Sequence, residues 1–109
     1  MKKIVLTGAA GRLGSYLREP LTKLADQLVS TDINSDIGKL YPGETFVKAN
    51  LEDLNAIEKM LKGAEMVVHF GAFVDEAPFD KLLGPNFIGA YNIWEAARPE
   101  VESYIKNNL

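Results

Sequence analysis

The sequence predicts a three-layer α/β fold, with helices covering both faces of a parallel sheet of spatial strand order 3-2-1-4. Short apolar runs alternate along the chain with segments of helical periodicity, the pattern of strands buried on both faces. The first run ends at a glycine cluster that opens a helix. Right-handed crossovers then favour the order 3-2-1-4 and put a ligand crevice at the carboxyl ends of strands 1 and 4, where the winding reverses.

Residues 2–7 (KKIVLT) read as a buried strand. Residues 12–25 follow as a helix, with Leu13, Leu17, Leu21 and Leu24 at helical spacing. Pro20 removes the hydrogen bond to the Tyr16 carbonyl, so a kink or early break is expected there. Residues 27–33 form a second strand, and the polar, glycine- and proline-bearing stretch 34–44 a loop. Residues 45–49 form a short third strand. Residues 52–62 form a helix with Leu54, Ile57, Met60 and Leu61 inward, capped by Gly63 and favoured at its start by Glu52 and Asp53. Residues 65–70 are the fourth strand. A loop spans 71–85, with a helical turn at 79–83, before a helix over 86–97 that stops near Pro99.

The 109 residues suffice for one domain and not for two. With 47% hydrophobic and 25% charged residues, the composition is that of an ordinary globular chain. A net charge of −3 provides no footprint for nucleic acid or an anionic membrane, so partners are expected to be selected by a specific pocket. The absence of cysteine excludes disulfides, thiolate metal sites and cysteine nucleophiles, and suits a reducing, cytoplasmic setting. The start Met1-Lys2-Lys3 followed by Ile4-Val5-Leu6 mimics a signal peptide, but Thr7-Gly8 interrupts the apolar stretch at once. No run approaches the roughly 20 apolar residues of a membrane span.

The segment Thr7-Gly8-Ala9-Ala10-Gly11-Arg12-Leu13-Gly14 spaces its glycines three and three. Gly8 ends the strand in a tight turn, Gly11 admits a pyrophosphate close to the backbone, and Gly14 lets helix and sheet approach. The helix N-terminus adds unsatisfied N–H groups and partial positive charge, and Arg12 offers a phosphate or ribose contact. A glycine-rich turn with no ligand is the bland alternative. An apolar strand before the loop, a helix after it and an acid at the right remove favour a Rossmann-like dinucleotide site. That acid is Asp32, which ends the second strand and can accept hydrogen bonds from ribose hydroxyls. It would repel a 2′-phosphate, and no Arg or Lys lies between Asp32 and Ile37 to receive one, so NAD is expected over NADP. Asp32 could instead merely begin a turn with Asn34 and Ser35.

Four motifs, TGAAGRLG at 7–14, Asp32, VVHFGA at 67–72 and NFIGAYNIWEAAR at 86–98, resemble the N-terminal part of the extended short-chain dehydrogenase/reductases, the NAD-dependent epimerase/dehydratase type. Within that class, VVHFGAFVDEAPF and the helix after it look most like uronate dehydrogenases, which oxidise sugar acids with NAD. The resemblance assigns Gly8, Gly11 and Gly14 to the phosphate loop, Leu13 to its usual apolar position, and Asp32 to the ribose. Asn50-Leu51 stands where the family has an Asp-Leu pair bracketing the adenine; Asn50 can still meet an adenine amino group through its amide oxygen. The backbone of Gly71 and Ala72 would line the pyrophosphate and nicotinamide ribose. Asn86 would begin the family's interface helix near the cofactor's far end. Val74 stands where uronate dehydrogenases tend to have a serine facing substrate.

The family's chemistry also needs a Ser or Thr and a Tyr-x-x-x-Lys pair, whose lysine lowers the tyrosine pKa. Tyr16, Tyr41, Tyr91 and Tyr104 are followed four residues on by Pro20, Thr45, Glu95 and Asn108, so none qualifies. This chain alone is expected to lack efficient hydride transfer. Residues 1–98 read as an NAD-binding half-domain and 99–109 as a divergent tail, helical from the spacing of Val101, Tyr104, Ile105 and Leu109. The expected function is the NAD-binding portion of a sugar or sugar-acid oxidoreductase. Alternatives are a non-catalytic dinucleotide-binding or partner-interaction module, and a fragment with no ligand. His69, the single histidine, reads as a packed strand residue, and the adjacent Asp75 and Glu76 as a solvated loop end. Phe87, Tyr91 and Trp94 read as either core or a helix-pairing surface for a homo-oligomer. The open edge of the fourth strand is expected to be hidden by self-association or by the tail.

Overall fold

The computed structural model describes residues 1–72 and 78–108; Val74, Asp75 and Glu76 lie outside them. Four strands, β1 (Lys3–Thr7), β2 (Gln27–Asp32), β3 (Glu44–Lys48) and β4 (Met66–His69), pair in parallel in the order β3-β2-β1-β4. The register sets Thr7 beside Thr31 on one side and His69 on the other. The carboxyl ends of β2, β1 and β4 therefore finish level.

Alternation along β1 divides the core. Ile4 and Leu6 face one way, onto Leu28, Ala9 and Leu21. Val5 faces the other way, into a cluster with Val29, Ile57, Leu61, Ile93 and Ala96. Helix α1 (Arg12–Thr22) covers the first face, while α2 (Leu54–Leu61) and the long helix α4 (Gly89–Asn108) cover the second. Asp53 caps α2, its carboxylate accepting from the Ala56 N–H at 3.2 Å, and Gly63 follows the helix with a φ of +78°. A short helix α3 (Phe79–Leu82) runs into a π-helical segment (Leu83–Ile88), closed by the Gly89 N–H on the Gly84 carbonyl, and then into α4.

Three expectations are corrected. Helix α1 ends at Thr22, not residue 25; Pro20 removes a main-chain donor, and the Lys23 N–H turns back onto the Pro20 and Leu21 carbonyls. Leu24 is thereby left exposed outside the helix. The regular helix begins at Gly89, three residues after the expected start. Pro99 does not stop it, and α4 runs on to Asn108. Tertiary anchoring outweighs the proline penalty: Ile93 and Ala96 are buried before it, and beyond it Glu100 accepts from the Gly63 N–H at 3.2 Å.

The loop after β2 owes its course to a buried ion pair. Arg18 of α1 donates to both carboxylate oxygens of Glu44, at 2.7 and 2.8 Å, and to the carbonyls of Ile37 and Lys39. Ser30 and the Tyr41 N–H donate to the same carboxylate, at 2.6 and 3.0 Å. Burial pushes the Glu44 carboxyl up, but these hydrogen bonds together outweigh it and hold the group below the ordinary range. Both side chains are nearly inaccessible, so removing either partner strands the other.

Arg18→Met is expected to lower the unfolding free energy by about 3–5 kcal/mol in urea titrations. Because the folded Glu44 pKa is lowered, its contribution to stability is complete above the ordinary value of 4.5. It is lost as pH falls through the folded value, so stability measured across acid pH is expected to drop in wild type and to drop less in Arg18→Met.

Candidate functional site

The β1–α1 turn is built on close backbone approach. Gly8 has a φ of +72°, and a Cβ there would lie 2.6 Å from the Phe70 carbonyl carbon and oxygen. A Cβ on Gly14 would overlap the Gly8 carbonyl, so α1 is seated directly on the turn. The turn is tied down by the Gly11 N–H on the Gly8 carbonyl and the Ala9 N–H on the Thr31 carbonyl, at 3.0 and 3.1 Å.

Helix α1 starts with no side-chain cap at Gly11, and its first internal bond is that of the Ser15 N–H to the Gly11 carbonyl. The N–H groups of Arg12, Leu13 and Gly14 thus open outward at the positive end of the helix dipole, as an anion requires. Leu13 is 60% exposed and Arg12 is exposed, because the first turn projects past the end of the sheet.

Asp32 joins β2 to this turn. One carboxylate oxygen accepts from the Ala10 N–H at 3.0 Å, the other from the Asn34 N–H at 3.0 Å. The turn role and the ligand role are therefore compatible, since each oxygen keeps a further lone pair. The amide oxygen of Asn50 accepts from the Glu52 N–H at 2.9 Å. The oxygen expected to meet an adenine amino group is thus already bonded once, leaving its second lone pair and the NH2 group.

A cavity of about 240 Å³ lies between these parts, at the crevice where strand order reverses. It brings together Gly8, Asp32, Asn50, Leu51, Gly71 and Ala72 of the expected site. Gly11, Arg12, Leu13 and Gly14 form the adjacent turn and first helical turn rather than the cavity wall. Asn86 sits in the π-helical segment beside Pro85, which does line the cavity.

Sequence reasoning missed Thr7, Thr31, Ile33 and Glu52 on the wall. The signal was available for the first three, because residues at the carboxyl ends of parallel strands line such a crevice. It also missed Asn92, buried on α4, which donates to the Leu51 carbonyl at 2.9 Å and so holds the 50–52 turn. Leu51 in turn fills the space beside Gly71 and Gly89, where added methyl groups would lie 2.6 and 2.9 Å from it.

Thr7 is fully buried, and its hydroxyl oxygen accepts from the Gly71 N–H at 3.0 Å and from the Phe70 N–H at 3.1 Å. The same oxygen lies 2.5 Å from His69 Nδ1. His69 is therefore not simply packed in the strand: its other side faces a second, larger groove of about 630 Å³ along the open edge of β4. That groove lacks the glycine turn and acid of the crevice. Helix α4 lines it through Val101 and Tyr104 without pairing to β4. Phe87, Tyr91 and Trp94 are 56%, 60% and 75% exposed in this chain, so they take no part in the core described above.

A parallel sheet wound in this order, with a glycine turn, an uncapped helix N-terminus and an acid after β2, defines the dinucleotide-binding class of α/β folds. The chain belongs to the NAD dependent epimerase/dehydratase family, whose pattern matches residues 4–106. It is 38% identical over 96 residues to a uronate dehydrogenase of Pseudomonas putida, covering 88% of this chain and 36% of the relative. With a uronate dehydrogenase of Agrobacterium fabrum it shares 42% over 98 residues, 90% of this chain and 37% of the relative. A crystal structure of a mutant uronate dehydrogenase from Agrobacterium tumefaciens complexed with NAD superposes with a TM-score of 0.84 at 40% identity, covering 91% of this chain and 37% of that one. A Bordetella bronchiseptica enzyme in complex with NAD+ gives 0.79 at 27% identity, covering 91% and 36%. The chain thus spans just over a third of the length of these relatives. Among the described residues no helix is long and apolar enough to cross a membrane, and no cluster of His, Cys, Asp or Glu is arranged to hold a metal ion.

Gly8→Ala and Gly38→Ala separate strain from crowding. Both glycines have positive φ, but a methyl group at Gly38 meets nothing within 4 Å. Gly8→Ala is expected to cost about 1–3 kcal/mol more than Gly38→Ala in chemical unfolding, the cost of overpacking.

Proposed function

We propose that this chain binds NAD across the carboxyl ends of β1, β2 and β4, as the cofactor-binding part of an NAD-dependent oxidoreductase acting on a sugar acid. The observation that carries the reading is the junction of the uncapped α1 N-terminus with the Asp32 carboxylate through the Ala10 N–H. One side offers donors and positive potential to a pyrophosphate, the other offers acceptors to ribose hydroxyls. Arg12, exposed on the first turn of α1, would reach the phosphates, and the backbone of Gly71 and Ala72, on the cavity wall, would line the path from pyrophosphate to nicotinamide ribose. The cavity is smaller than the roughly 300–1,000 Å³ of ordinary ligand pockets. A dinucleotide would fill it with its adenosine end and extend over the turn towards Asn86. When bound, NAD supplies the hydride acceptor.

Asp32 favours NAD over NADP, because a 2′-phosphate would set two negative charges side by side at a cost of about 1–4 kcal/mol at 4 Å. The uronate assignment is supported by the likeness to uronate dehydrogenases. The 109 residues hold no Tyr-x-x-x-Lys pair, so no acid–base role is assigned within them; the second reading is a non-catalytic dinucleotide-binding module. Pairing of two copies through the exposed Tyr91 and Trp94 face of α4 is part of the same reading.

Calorimetric titration is expected to show saturable NAD binding, with NADP weaker by about tenfold or more. No binding of either would overturn the reading. Asp32→Ala is expected to weaken NAD by about tenfold and to narrow the gap to NADP. With D-glucuronate and NAD, the chain alone is expected to produce no NADH above background; turnover would locate an acid–base pair other than Tyr-x-x-x-Lys.

A further inference from the structure

We propose that His69 is a positioning residue for the cofactor crevice, acting through Thr7, and that protonation of its ring loosens dinucleotide binding. This rests on the dinucleotide reading above.

The argument begins with the Thr7 hydroxyl, which has one proton to donate and two lone pairs. Its oxygen accepts from the Gly71 N–H and shares the Phe70 N–H with the Thr7 carbonyl, at 3.0, 3.1 and 3.2 Å. Its acceptor capacity is then used, so the proton must go to His69 Nδ1, 2.5 Å away. That direction requires Nδ1 to be unprotonated. His69 is therefore neutral, with its ring proton on Nε2. Partial desolvation of the ring holds its pKa below the ordinary value of 6.5, in the same sense.

The chain of contacts reaches the site in two steps. The Phe70–Gly71 peptide held by Thr7 is the surface against which Gly8 is packed with no room for a methyl group. Gly8, Thr7 and Gly71 all line the crevice. A protonated Nδ1 can only donate. It would compete for the Thr7 oxygen with the two N–H groups and leave the hydroxyl proton without its acceptor. The peptide would shift, and with it the floor under the pyrophosphate.

Among the described residues, the other titratable groups in the groove with His69 are Lys2 ahead of β1, Glu65 ahead of β4, and Glu100 and Tyr104 on α4. The acids would favour the imidazolium and Lys2 would oppose it. The sign of the effect follows from the lowered pKa. Binding and stability are complete above about 6.5, the unfolded value, and decline as pH falls towards and through the folded value.

Because His69 is the only histidine, its ring nitrogens can be read without mutation. In ¹⁵N NMR of the intact chain, the expected result is an Nε2–H tautomer at pH 8 and a midpoint below 6.5. The Phe70 and Gly71 amide signals should move on the same curve. An Nδ1–H tautomer, or amide signals indifferent to the titration, would overturn the proposal.

Calorimetry with NAD supplies the functional arm. The dissociation constant is expected to rise about two- to tenfold from pH 8 to pH 5.5, the effect of one disrupted hydrogen bond. His69→Asn places a non-titrating acceptor near the Nδ1 position and is expected to flatten that profile; a wild-type profile in this variant would overturn the proposal. Failure to bind NAD at pH 8 would instead overturn the dinucleotide reading, with the tautomer result still standing by itself.

Discussion

The geometry at the carboxyl end of the sheet depends on the contact of three backbone segments with almost no side chain between them. Gly8 presses on the Phe70–Gly71 peptide, and Gly14 presses on Gly8. This brings the end of β1, the start of α1 and the end of β4 to one point. The N–H groups there have to find acceptors close by, and they do: the Thr7 hydroxyl takes Phe70 and Gly71, the Thr31 carbonyl takes Ala9, and the Asp32 carboxylate takes Ala10. The start of α1 has no side-chain cap, an arrangement whose free N–H groups suit an anion. The buried Thr31 hydroxyl has no partner among the described residues, beside a set otherwise closely matched.

The second organising device is ionic. Arg18 and Glu44 reach across from α1 to β3 and gather the loop after β2 around one buried guanidinium. The Tyr41 ring, 5.1 Å from the guanidinium carbon, covers it. A loop rich in Asn, Ser, Gly and Pro is thereby given a defined course next to Asp32. The apolar faces of the sheet need no such help, since α1, α2 and α4 supply ordinary packing on either side. Charge is buried where the chain must turn without secondary structure of its own.

Helix α4 shows how local rules yield to context. Pro99 removes a main-chain bond and should end a helix, yet the residues around it are already committed: Ala96 to the core, Glu100 to the end of α2. Its beginning yields in the opposite direction. The π-helical turn at Leu83–Ile88 contains Pro85, and it seats Gly84 against the Glu52 carboxylate. Where a close approach to the 50–52 turn is needed, regular spacing is given up.

By itself, the sequence determined the layers, the strand order and the crevice at the carboxyl ends of β1 and β4. These follow from which residues are apolar, at what period, and where glycine and an acid punctuate them, and such information is local. Gly8, Gly14 and Asp32 were legible for that reason, as were Asp53 and Gly63 at the ends of α2. Only the tertiary structure decided that Arg18 pairs with Glu44, that Asn92 holds Leu51, and that Thr7 joins His69 to Gly71. Each of these links residues 26 to 64 positions apart, with nothing in the local pattern to mark the partner. It also decided the fate of Pro99 and of the exposed Trp94, because burial depends on which elements meet. Period and punctuation are written residue by residue, whereas a hydrogen bond between strands exists only once the sheet has brought its ends level.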